Sequence, residues 1–68
     1  MTTAPLRFQV PYGEIAKHSR IVLVGKGLVG RYWYSQLLLS GHCEVAAWVD
    51  NEENIPQGLS YDAVVRAG

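Results

Sequence analysis

The apolar positions of this chain fall into three blocks with different periods. Residues 21–24, Ile-Val-Leu-Val, form an unbroken β-branched and leucine run, the pattern of a strand covered on both faces. From Val29 onward the period lengthens: Val29, Trp33, Leu37 and Ser40 recur at helical spacing, with Tyr34 and Leu38 widening the face and Arg31, Ser35 and Gln36 on the wet side. This predicts a helix over residues 28–40, ended by Gly41 as a left-handed residue past its C-terminus. Residues 44–49 then alternate, Val45, Ala47 and Val49 against Ala46, Trp48 and Asp50, which predicts a second strand. After Asp50 the chain turns polar through Pro56 and Gly58, the pattern of a loop, and a third short strand is expected over residues 61–67. Ahead of the first strand, residues 1–11 read as irregular, with Pro5 and Pro11 as breakers and Phe8 and Val10 as apolar anchors. Residues 12–18 suit one or two helical turns with Ile15 inward, and Pro11 fits a first helical position because it lacks the N–H that would need a partner there.

The joint between the first strand and the helix is Gly25-Lys26-Gly27-Leu28-Val29-Gly30, and an acidic residue, Asp50, follows Gly30 by 20 positions at the end of the second strand. Strand, glycine turn, helix, strand and carboxylate in this order match a dinucleotide-binding βαβ unit. Gly25 is expected to permit the tight turn, Gly27 to let a pyrophosphate approach the amides of the helix N-terminus, and Gly30 to let helix and strand pack closely. Asp50 is placed to accept hydrogen bonds from ribose hydroxyls and to repel a 2′-phosphate, with no cation at Asn51 to offset it. The expected cofactor is therefore NAD in preference to NADP. Candidate binding residues are Gly25, Lys26, Gly27, Leu28, Val29, Gly30, Asp50 and Asn51, and no catalytic or metal-ligating residue is assigned. His18 and His42, the two histidines, fall near the N-terminal ends of the expected strands, whereas open α/β sheets bind ligands at the carboxyl ends. Trp33 and Trp48 are assigned to the core.

A chain of 68 residues has room for one small domain, and one of this size buries only about 60% of its unfolded surface. Cys43 is the single cysteine, so there is no internal disulfide, and no zinc-like ligand spacing occurs. Cys43 itself reads as a small half-buried residue at the start of a strand. Six basic and six acidic side chains cancel, which argues against a nucleic-acid partner. No stretch approaches the length of a membrane span and the N-terminus lacks a signal-peptide core, so no membrane partner is expected and a cytoplasmic location is.

Residues 19–50, together with the lead-in Phe8-Gln9-Val10-Pro11, resemble the NAD(P)-binding Rossmann modules attached to bacterial sugar-modifying and cell-surface polysaccharide enzymes. The resemblance covers most of residues 8–67, its specific part being the glycine motif and the strand end Trp48-Val49-Asp50. It implies a nucleotide-binding Rossmann-like fold and carries Gly25, Gly27, Gly30 and Asp50 over as ligand contacts. The chain departs from the pattern in lacking a second crossover helix and everything beyond the third strand. The fold expected is thus α/β: a minimal or truncated three-stranded parallel Rossmann-like sheet in residues 1–68, with one main helix and a short N-terminal helical segment. Two other readings stay open, a ligand-free interaction module and the N-terminal, cofactor-holding part of an NAD-dependent oxidoreductase. Missing cover on the sheet, with a free edge on the first strand, predicts a homodimer or a larger partner protein.

Overall fold

The computed structural model describes residues 9–67, so the expectations for Pro5 and Phe8 fall outside it. Three parallel strands, β1 (Arg20–Val24), β2 (Glu44–Val49) and β3 (Ala63–Arg66), form one sheet with a single helix, α1 (Leu28–Ser40). Short 3-10 turns sit at Tyr12–Glu14 and Glu52–Asn54. Helix α1 has the bounds its periodicity predicts, and it stops where Gly41 turns left-handed (φ 65°) and returns its N–H to the Leu37 carbonyl at 3.2 Å. Pro11 stands one place earlier than expected, as the cap of the first 3-10 turn.

The strand order is β2-β1-β3. β1 is central and Ile21, Val22 and Leu23 are fully buried, as its unbroken apolar run requires. The third strand is shorter than residues 61–67, because Asp62 is engaged before the ladder begins. Its carboxylate accepts the Arg20 N–H at 2.8 Å, and its own N–H reaches the Arg20 carbonyl at 2.7 Å. β3 also corrects the expected free edge on the first strand: it pairs there itself, from Ile21↔Ala63 to Val24↔Arg66. No crossover helix is needed, since residues 50–62 make the return as loop and 3-10 turn.

A bulge in the β1–β2 ladder, between Ile21 and Val22, decides which β2 side chains meet the helix. Strict alternation sets Val45 and Trp48 on opposite faces; the extra residue moves both onto the α1 face. There they join Ile21, Leu23, Trp33 and Leu37 in one core cluster. Val10 and Ile15 belong to that same cluster, so the N-terminal segment covers the helix face of the sheet and not the opposite one. On α1, Leu38 is 59% exposed and does not widen the buried stripe. Val22 points the other way and is buried nonetheless. The β1→β2 and β2→β3 connections cross in opposite directions, so right-handed crossovers lie on opposite faces of the sheet. That sets residues 50–62 over Val22, with Ile55 and Leu59 half-buried beneath the loop.

Candidate functional site

The glycine turn is held from three sides. The Gly25 N–H donates to the Val49 carbonyl at 2.8 Å, and the Gly25 carbonyl accepts the Trp48 indole N–H at 2.8 Å. A Cβ at Gly25 would meet the Ala67 carbonyl just past β3, and its φ of +121° excludes other residues without strain. A Cβ at Gly30 would run into the Gly25 carbonyl, so the helix packs against the turn as closely as backbone permits. Gly27 is different. Nothing lies within 4 Å of where its Cβ would be, and the space it leaves opens outward.

Gly27 is also the N-cap of α1, with no side-chain cap and no acidic residue in the first helical turn. The first intrahelical bond runs from the Arg31 N–H to the Gly27 carbonyl (3.0 Å), so the amides of Leu28, Val29 and Gly30 have no acceptor within the helix. They border a cleft of about 500 Å³ at the carboxyl ends of the strands. Of the expected site residues, Gly25, Lys26, Gly27, Leu28, Val29, Gly30 and Asp50 all line this cleft. Asn51 does not; its side chain turns back to accept the Glu53 N–H at 3.0 Å and so caps the second 3-10 turn. Arg66 and Ala67 line it as well. Sequence reasoning missed both, because their place depends on β3 pairing with β1.

Trp48 does more than fill the core. Besides tying the turn through its indole N–H, its ring stacks on Tyr34 (centroids 4.4 Å apart), and the Lys26 ammonium rests 5.3 Å from the ring centroid. The signal in the sequence was the indole N–H itself, since a half-buried tryptophan needs an acceptor nearby. Arg66 is ion-paired with Glu52, which ties the end of β3 to the 3-10 turn after β2.

Asp50 is exposed, and its carboxylate accepts a hydrogen bond from the Asn54 side-chain amide. That bond is the main reason its carboxyl is held below the usual carboxylate range; backbone N–H groups and the Lys26 charge act in the same direction, and desolvation opposes them. A carboxyl lowered on folding stabilises the fold fully above its unfolded pKa, and that contribution is lost as pH falls through the folded value. An NMR titration of the Asp50 carboxyl carbon should therefore give a midpoint below that of an unfolded-peptide aspartate. Asn54→Ala should move it up; an unchanged midpoint would remove Asn54 as the cause.

The remaining titratable candidates lie elsewhere. His42 is edge-on to Tyr12 with centroids 5.0 Å apart, and its Nε2 is 2.6 Å from the Ile15 carbonyl, a contact that requires the proton on Nε2. His18, at φ 66°, donates its backbone N–H to the His42 carbonyl at 2.7 Å. Both therefore pin the N-terminal segment to the amino end of β2. Cys43 is half-buried, and burial pushes its thiol up, away from the reactive thiolate. Among the described residues there is no group of three or more His, Cys, Asp or Glu able to hold a metal, and no helix is long and apolar enough to cross a membrane.

A larger cleft, about 730 Å³, runs along β3 on the helix face, beside Gln9, Glu14, Ile15, Trp33 and Val65. It has neither open helix amides nor a glycine approach, and size alone does not make it the better candidate. No protein-family model, curated protein or solved structure matches the chain.

Proposed function

We propose that the chain is a nucleotide-binding module, with NAD(H) as its ligand, and that it supplies no catalytic residue of its own. The observation that carries this reading is where the glycine cleft lies. In the order β2-β1-β3 the chain leaves β1 to one side and returns to the other, and ligands of open parallel sheets bind outside the carboxyl ends at such a reversal. The cleft there combines unpartnered helix amides, a glycine with open space in front of it and a carboxylate across the mouth. Helix amides and the helix dipole favour a pyrophosphate. Asp50 suits the adenosine ribose, and one of its oxygens is already held by Asn54. Lys26, resting over Trp48, is a candidate phosphate contact. The reading includes a cytoplasmic location, where free NAD is abundant and a lone thiol such as Cys43 stays reduced.

Of the two cations that line the cleft, Lys26 rests over the Trp48 ring and Arg66 is already ion-paired with Glu52 through its Nε. Asp50 therefore governs the choice. Calorimetric titration should give tighter binding of NAD than of NADP, by on the order of tenfold, since like charges near 4 Å repel even in water. Asp50→Ala should narrow that difference. Equal or tighter binding of NADP by the unaltered protein would refute the role given to Asp50.

A further inference from the structure

The outer edge of β3 carries a self-complementary pattern, and we infer that it pairs with the β3 edge of a second copy, antiparallel and centred on Val64. The sheet has two edges. That of β2 is interrupted by the bulge, which twists a strand and blunts its pairing capacity. That of β3 is regular over Ala63–Arg66.

The ladder fixes which backbone groups are open. Val24 stands opposite Arg66, and the Ala67 N–H reaches the Val24 carbonyl at 2.8 Å. A parallel ladder uses alternate residues of each strand, so Val65 and Ala67 face β1 while the N–H and C=O of Val64 and Arg66 face outward. About a two-fold axis at Val64, each Val64 meets its counterpart and the two exchange both backbone hydrogen bonds.

Continued one residue ahead of β3, the same register sets Asp62 opposite the partner's Arg66, and Arg66 opposite the partner's Asp62; the Asp62 N–H stays with the Arg20 carbonyl, so this pair is made by side chains alone. The sequence Asp62-Ala63-Val64-Val65-Arg66 thus supplies two ion pairs related by the axis, with Ala63 facing the partner's Val65 between them. Both charged groups have capacity left. Arg66 uses Nε for Glu52, leaving the fork of its guanidinium, and Asp62 uses Oδ2 for the Arg20 N–H, leaving Oδ1. Val65 already packs against the core cluster on the helix face. Pairing would continue that apolar row across the axis and join two three-stranded sheets into one of six strands. A shift of two residues along the partner would again bring outward-facing backbone groups together but lose both ion pairs, and a shift of one would set outward groups against inward ones, so charge selects the register.

Sedimentation of the whole chain tests this independently of nucleotide binding. The unaltered protein should form a dimer at micromolar concentration. Asp62→Lys and Arg66→Glu should each sediment as monomers, since each places like charges opposite one another twice. Their equimolar mixture should dimerise again, because in the mixed pair both contacts become attractive. As a check that leaves both charges in place, Val64→Cys in a Cys43→Ser background should form a covalent dimer under mild oxidation, whereas Ser35→Cys in that background should not. An unaltered protein that stays monomeric, single variants that still dimerise, or equal cross-linking at positions 64 and 35 would each overturn the inference.

Discussion

Gly30→Val is expected to lower stability by about 3 kcal/mol or more, at the upper end of the cost of overpacking a filled site. The obstacle is the carbonyl of Gly25, a backbone group that cannot swing aside as a side chain can. That carbonyl is also fixed by the Trp48 indole, so moving it would loosen the turn and the stacked Tyr34–Trp48 pair together. In a chain of this length 1 kcal/mol shifts the melting temperature by roughly 4–8 °C, so a fall of about 12 °C or more is expected by circular dichroism. Melting at the unaltered temperature would mean that α1 does not lie against the turn as described.

Gly27→Val separates binding from folding. The space in front of Gly27 is open, its φ of −76° suits any residue, and the only structural cost is that of a poorer helix cap, about 1 kcal/mol. A branched side chain there would stand between a pyrophosphate and the amides of Leu28, Val29 and Gly30. NAD affinity is expected to fall at least about a hundredfold, equivalent to about 2.8 kcal/mol, with melting lowered by only a few degrees. Calorimetry and melting on one sample check both halves. Unchanged affinity would move the ligand away from the helix N-terminus.

The contrast between these two glycines was legible in the sequence, as were α1 and β2 to the residue, because strand, turn and helix each have their own period and punctuation. What escaped the sequence came from pairing and not from propensity. The alternation of residues 44–49 is real, yet one bulge reassigns Val45 and Trp48 to a common face, and no local signal marks the extra residue. Nothing in Ala63–Arg66 says which edge that strand will join, so Arg66 and Ala67 were not seen as neighbours of the glycine turn. Which segment covers which face was likewise not legible. Val10 and Ile15 are apolar anchors wherever they pack, and only the crossover directions show that residues 50–62 lie over Val22 while the N-terminal segment joins the helix. The grouping of the expected residues was more readable: seven of the eight meet at one cleft, and Asn51 stands apart because a short polar side chain next to a turn bonds its own backbone first.

The most direct test of nucleotide binding is a titration of isotopically labelled protein with NAD, followed at the backbone amides of Gly25, Gly27 and Gly30. These amides lie in the turn itself and would sense a pyrophosphate before any distant change in packing. Saturable shifts at all three, with those of His18 and His42 at the other end of the sheet unmoved, are the predicted result. Unshifted glycine amides at millimolar NAD would contradict the account.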